Sequence, residues 1–475
     1  MFRSVPTPTK GLWSWAASFK REILPFYEVP PGELSDEEWL SSMPSNRQAP
    51  LRRAMEIWKG SGWNKKYARF SVFIKEELLA GFGKDDNGLL PLREMVARLI
   101  YGPHDVTHCI AGPKIKPYLD WLKKQWNFEN YIFYGSTTPE KLQEWLVRFS
   151  SQGERTYFWS DFSQFEVTHS GDTWDFIEHF YRQHAYDQDF LRVLRAWRVP
   201  CGVLGDLKFT GRIMNASGRD DTAFANAVLN GFATVLSITS AWCKVPLMSL
   251  TLADLQRTQL DLMLSVCGDD ALGSLPAMDQ GEALGFLERS RANLTEFGFI
   301  AKMFCSNKLE DAVYLGHRPI CIGGKWYWSR TLGRCLYKLG YQTKVVGDPG
   351  AHFMGICQMH MVCSKHVPVL SDICRAWLNC RAGAKVNSYV SDLSKPWLEM
   401  GKFGPDGYDY EALESLARAY TVDRRPCRRD LSPNNVKVTA EDFVDLIGYI
   451  NASISGIPCV LDHWLLRHMV WVDEQ

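Results

Sequence analysis

The chain has 475 residues, 46% of them hydrophobic, enough to bury a large core in two or three lobes and too apolar for a disordered protein. Lys plus Arg and Asp plus Glu both number 54, so the net charge is zero. That balance argues against a simple nucleic-acid coating protein, but an enzyme with one basic channel and one acidic centre could also balance, so composition neither supports nor excludes nucleic acid.

The 13 scattered cysteines are odd in number, in a chain too large to need disulfide staples, so free thiols in a reducing compartment are expected. Residues 1–20 carry Lys and Pro without an apolar centre, so no signal peptide is expected. The opening, to about Pro50, is rich in Pro and Trp and reads as an irregular arm packed on a body. Leu51, Met55 and Trp58 have helical spacing, and Phe70–Ile74 reads as a strand leading into a charged turn, with a further turn at Lys84–Gly88. A Thr-Pro start signal predicts an amphipathic helix over Pro139–Phe149.

Thr156–Ser163 (TYFWSDFS) reads as an aromatic strand ending in an acid, followed by a helix with Trp174, Ile177 and Phe180 on one side. Thr222–Cys243 carries no charge over about the span of a bilayer. Its Asn, Gly, Ser and Thr content favours a buried core helix, and no transmembrane segment is expected. Two apolar runs around Gly268-Asp269-Asp270 signal a β-hairpin. Beyond Trp326 the chain reads as mainly helical, with an Arg cluster at Arg424, Arg425, Arg428 and Arg429.

Hard divalent cations want carboxylate oxygens on rigid elements, and strand ends and tight hairpins supply that rigidity. Asp161 ends a strand, and Asp269 and Asp270 sit at a hairpin tip. Lone Gly-Asp-Asp turns are common on surfaces, so the signal lies in the ordered set. That set is Asp161-x4-Glu166, then Ser217-Gly218-x3-Thr222-x3-Asn226, then Gly268-Asp269-Asp270, then Lys302. Thr222 and Asn226, four apart, share one helical face. Ser217-Gly218 before them reads as a flexible loop able to approach a ligand closely, or more plainly as part of a helix start.

The set resembles the palm of RNA-dependent RNA polymerases of positive-strand RNA viruses, whose motifs A, B, C and D run in this order, in a style nearest the tombusvirus-like and nodavirus-like enzymes. The resemblance covers roughly Lys75 to Arg334. It implies Asp161 and Asp269 as metal ligands for magnesium, with manganese as the alternative ion, and Asp270 at the metal or primer end. It implies Glu166 and Asn226 as sensors of the ribose 2′-hydroxyl, and Ser217, Gly218 and Thr222 as substrate-binding. Glu166 stands where the family usually has Asp, and Arg219 where related sequences often have an acid. Lys302 would protonate the leaving pyrophosphate, and Ala312–Pro319 resembles motif E. Upstream, Lys75, Glu77 and Arg98, with Arg93 close by, resemble motif F, which would receive the triphosphate's negative charge. Lys114 and Lys116 would extend that basic wall.

The fold so implied is α+β: a right hand of fingers, palm (antiparallel sheet plus helices) and helical thumb. The divisions would be an N-terminal arm and fingers to 150, palm over 151–183 and 214–330, a fingers insertion over 184–213, and thumb over 331–475. The implied partners are RNA template, nascent RNA, ribonucleoside triphosphates and other viral replication proteins, in the host cytoplasm on or near replication membranes. Two rivals are a reverse transcriptase, which shares the acidic palm but lacks the Ser-Gly…Thr…Asn helix, and a non-catalytic RNA-binding scaffold. The latter has no physical reason to keep like charges together. Cys357, His360, Cys363 and His366 recur every three residues. On one helix that spacing turns each residue away from the last, so zinc would need a break or a distant donor, and a buried helical core is the plainer reading.

Overall fold

The computed structural model describes residues 5–24, 32–75, 99–136, 138–340, 347–380, 404–421, 436–454, 461 and 463–473. It is a mixed α+β chain in two compact units. The first comprises Met1–Lys75, Ala97–Ser136 and Phe158–Cys305, the second Glu76–Val96, Thr137–Tyr157 and Ser306–Gln475.

The expected irregular arm is instead largely helical where described: Leu12–Ala16, Lys20–Ile23, Asp36–Ser41 and Ser45–Ser61. Part of the signal was local. Ser35 accepts from the Glu38 N–H while the Glu38 carboxylate accepts from the Ser35 N–H, a reciprocal cap that starts the third helix. The rest is tertiary, since Trp13 is buried and its indole donates to the Phe297 carbonyl at 3.3 Å.

The eleven described strands are β1 (Arg69–Ile74), β2 (Leu99–Gly102), β3 (Ile132–Tyr134), β4 (Arg155–Phe162), β5 (Cys201–Leu204), β6 (Leu207–Thr210), β7 (Met263–Cys267), β8 (Asp270–Pro276), β9 (Ala301–Ser306), β10 (His317–Ile322) and β11 (Lys325–Arg330). The first unit carries a sheet of order β2-β1-β5-β6 and is built around another of order β3-β7-β8-β4-β9. The latter is not purely antiparallel as expected. β7 and β8 form an antiparallel hairpin, but β3 joins β7 in parallel, which the long intervening chain allows.

The uncharged segment forms the helix Thr222–Cys243, and 18 of its residues are buried. It is long and apolar enough to cross a membrane, yet it lies inside the unit, with 89% of its most apolar window buried. Gly231 lies under the Trp126 ring so closely that a Cβ would sit 2.3 Å from it. The predicted amphipathic helix forms as Pro139–Ser150. The helix after β4 runs over Gly171–Glu178 and tightens to a 3-10 turn at His179–His184, with Trp174, Ile177 and Phe180 buried.

In the second unit, β10 and β11 pair antiparallel across the positive-φ turn Gly323-Gly324. Helices Leu332–Lys338, Pro349–Cys363, Leu370–Cys380, Tyr410–Tyr420, Ala440–Ser453 and Trp464–Asp473 enclose a core including Ile320, Leu332, Leu416, Phe443, Leu446 and Met469. Arg318 is buried there, paired with Asp473 at 3.3 Å and lying over the Tyr420 ring.

Candidate active site

β4 is buried along most of its length, but Asp161 near its end is exposed, its side chain 54% accessible. An acid tolerated only where the strand emerges from the core is one held on a rigid base with its charge in solvent. Next along, Gln164 takes a left-handed conformation (φ 54°) that ends the strand and starts the short helix Phe165–Thr168, carrying Glu166. On the neighbouring β9, Lys302 Nζ lies 3.6 Å from Asp161 Oδ2. The backbone bond from Ser163 to Ile300 and the stacked Trp159 and Phe304 rings fix the same antiparallel register. Lys302 is thus the cross-strand partner of Asp161, a placement that neither residue's local context specifies.

β8 lies on the other side of β4. The β7–β8 hairpin pairs Cys267 with Asp270, leaving a two-residue turn, Gly268-Asp269. Gly268 has φ +59° and Asp269 does not have positive φ, the pattern of a type II′ turn with Gly first. The turn is held from beneath. Asn230, fully buried in the long helix, donates from Nδ2 to the Gly268 carbonyl at 3.0 Å and the Asp270 carbonyl at 3.1 Å, while its Oδ1 accepts from Thr234 at 2.8 Å. Asn230→Ala is expected to cost about 1–3 kcal/mol in urea unfolding, because two carbonyls lose their donor. Asn230→Asp should be no better, since a carboxylate has no N–H to give. An aspartate variant as stable as wild type would refute this role.

One turn earlier on the same helix, Asn226 Oδ1 accepts from Asn215 Nδ2 at 2.5 Å. The Asn215 N–H donates to the Glu166 carbonyl at 2.8 Å. Four residues of helix advance about 6 Å. A single helical face therefore ties down the chain just after Asp161 at one point and the Gly-Asp-Asp turn at the next. Asn215 Oδ1 is itself buried without a partner. The hydrogen bond it makes is worth about 1 kcal/mol net and an orphaned acceptor costs about 1–3, so Asn215 is not kept for stability.

The loop between Asn215 and Thr222 is anchored where flexibility was expected. The Tyr101 N–H of β2 donates to the Ser217 carbonyl at 2.9 Å. Gly218 has φ +105°, and a Cβ there would stand 2.4 Å from the Tyr101 carbonyl oxygen, so close backbone approach requires glycine. Arg219 answers its departure from related sequences by turning inward. It clamps Asp221 through Nε at 2.9 Å and Nη2 at 2.5 and 2.6 Å, with its guanidinium 4.3 Å from the Trp174 ring centre and 5.1 Å from that of Trp197. Both side chains are essentially inaccessible. Thr222 Oγ1 donates to the Ala216 carbonyl at 3.3 Å.

Asp220 faces the other way, 3.0 Å from His108 Nδ1 through both oxygens. Burial alone disfavours the His108 charge, but the Asp220 charge and hydrogen bond, with Asp105 and against Arg47, raise its pKa above 6.5. A raised folded value makes this tie complete below the unfolded pKa and lost as pH climbs through the folded one. The melting-temperature gap between wild type and His108→Gln should therefore be largest below the ordinary histidine range and shrink as pH rises above it. A gap that widened would contradict it.

Of the basic residues, Lys75 directly follows β1 and is half-buried. Glu77, Arg93 and Arg98 lie outside the described residues, as do Lys84–Gly88 and the Arg424–Arg429 cluster. Lys114 does not extend a basic wall. It is buried in the helix Asp105–Gln125 and paired at 3.0 Å with both Glu33 and Asp187, because a buried cation needs carboxylate partners. Lys116 is half-buried on the same helix. Leu315 and Gly316, in the motif-E-like turn, both have positive φ and are closed by the Tyr314–His317 bridge.

Among the described residues no three of His, Cys, Asp or Glu form a group that could hold a metal ion. Magnesium in phosphoryl chemistry typically takes one or two carboxylates and completes its octahedron with phosphate and water oxygens. Asp161 is exposed on one strand and Asp269-Asp270 stand at the turn leading into the adjacent strand, carboxylates of the type such an ion would take. In the second unit, His366 Nε2 bonds the Trp328 carbonyl at 2.9 Å, and Cys357 and Cys374 are buried in the helical core. The described cysteines are free thiols. Compared with protein-family models and with curated proteins, the chain matches none.

Sequence reading missed Asn215, Asn230 and the two loop clamps. Asn230 had a signal: Thr222, Asn226, Asn230 and Thr234 form a polar row at four-residue spacing in a mainly apolar helix. Asn215 had none.

Proposed function

We propose that the chain is an RNA-dependent RNA polymerase of a positive-strand RNA virus, extending an RNA strand on an RNA template from ribonucleoside triphosphates. In this reading residues 1–150 and 184–213 supply the arm and fingers, 151–183 and 214–330 the palm, and 331–475 a helical thumb. The observation that carries it is the common footing of three segments in one sheet and one helix: Asp161 with Glu166, Asp269 with Asp270, and Asn226 with Asn230.

The reaction is an in-line attack of the RNA 3′-hydroxyl on the α-phosphate, with pyrophosphate leaving. Its demands are positioning and charge neutralisation. Asp161 and Asp269 would hold the magnesium ions, with Asp270 beside them. When bound, these ions supply Lewis-acid stabilisation of the phosphoryl oxygens and a more acidic attacking hydroxyl. The protein's own part is to carry Asp161 on β4, between β8 and β9, and Asp269 in a turn whose flanking carbonyls Asn230 holds. Lys302 is an ammonium beside Asp161, suited to give a proton to the departing pyrophosphate oxygen. Glu166 and Asn226 would serve together as acceptor and donor for a ribose 2′-hydroxyl. Lys75 would meet the triphosphate. Other replication proteins and the host cytoplasm complete the proposed setting.

The test is direct. Purified protein with single-stranded RNA, four ribonucleotides and magnesium should yield labelled complementary RNA, with and without a primer. Product from deoxyribonucleotides alone would favour a reverse transcriptase. RNA binding without product from any nucleotide would favour a scaffold.

A further inference from the structure

We propose that Asn215 is a positioning residue for sugar selection: it fixes the Asn226 amide so that the Asn226 N–H donor, not its carbonyl, is presented to the ribose 2′-hydroxyl. This inference rests on the polymerase reading and adds a residue to it.

A 2′-hydroxyl both donates and accepts, and it is recognised best when one neighbour takes its proton and another gives one. A carboxylate at Glu166 can only accept when ionised. The second neighbour must therefore donate, yet an asparagine amide can rotate to present either end. Asn226 Oδ1 is occupied by Asn215 Nδ2 at 2.5 Å. Asn226 Nδ2 makes no hydrogen bond to any described residue, so the end left over is the donor. Asn215 is 1% exposed and Asn226 6%, so solvent does not compete for the bond.

The backbone of Asn215 joins the other half of the pair. Its N–H donates to the Glu166 backbone carbonyl, so one residue touches both the segment that carries the acid and the amide. Stability does not explain the choice of residue, because the Asn215 carbonyl is buried without a partner. A side chain that leaves one end unsatisfied to hold a neighbour in one sense is what a selecting site requires.

The experiment compares kcat/KM for ATP and dATP in wild type, Asn215→Ala and Asn215→Asp, with templated RNA synthesis as the readout. Asn215→Ala should lower the ribose preference about tenfold, through poorer use of ATP. Asn215→Asp has the same shape but no N–H to give. It would pull the Asn226 amide round and lower the preference at least as far. Because the ratio is taken within one preparation, any loss of folded enzyme cancels. In an Asn226→Ala background, Asn215→Ala should change the ratio no further, whereas a role elsewhere in the fold would add to it. An active wild type that prefers ATP, with both Asn215 variants keeping that preference, overturns this assignment alone. A wild type without sugar preference also overturns it, and a wild type inactive with every nucleotide removes the polymerase reading together with it.

Discussion

Asp269→Ala is expected to lower templated RNA synthesis at least about a thousandfold while leaving the protein folded. The side chain sits in a two-residue turn outside the core, with Gly268 bearing the unusual backbone conformation and Asn230 holding the flanking carbonyls. Removing the carboxylate therefore changes charge at the site without opening a cavity. Asp161→Ala should have a comparable effect, and in addition should release Lys302 from its only ion partner among the described residues. Incorporation should be followed alongside circular dichroism and RNA binding. Full activity in the Asp269 variant would end the two-carboxylate account, whatever the fold.

The largest effect on stability is expected at Asp221. Asp221→Ala leaves the Arg219 guanidinium buried between two tryptophans without its counter-charge, a change that costs about 3–5 kcal/mol. Arg219→Leu should cost a similar amount by stranding the acid. The double variant Arg219→Leu/Asp221→Leu should recover much of the loss, because a dry apolar pair needs no charge compensation. Urea unfolding of the four proteins reads the coupling directly. Simple addition of the two single losses would show that the pair is not a unit. Since Arg219 and Asp221 flank the turn that carries Ser217 and Gly218 toward Thr222, activity should fall with the single variants and return in part with the double.

Much of the candidate site was legible because its parts are local. A two-residue turn needs glycine at its first position, an emerging strand can carry one exposed acid, and a helix presents residues four apart on one side. Each of these is a property of a few neighbouring residues. The arm before Pro50 was misread because its helices are short and owe much of their order to distant partners, such as Phe297 for Trp13. Lys114 was misread because its carboxylates, Glu33 and Asp187, are remote in the chain. Arg219 looked anomalous from its neighbours and became intelligible only with Trp174 and Trp197 around it.

The amino-acid order alone determined which residues end strands, turn hairpins and line the apolar helix, since sterics and periodicity act over one or two turns. It did not determine which of those short elements would become neighbours. That Lys302 lies across from Asp161, that Asn230 supports the Gly-Asp-Asp turn and that Asn215 holds Asn226 follow from strand order and helix docking. Those depend on the sum of many buried contacts far apart in the chain, each too weak to be read by itself.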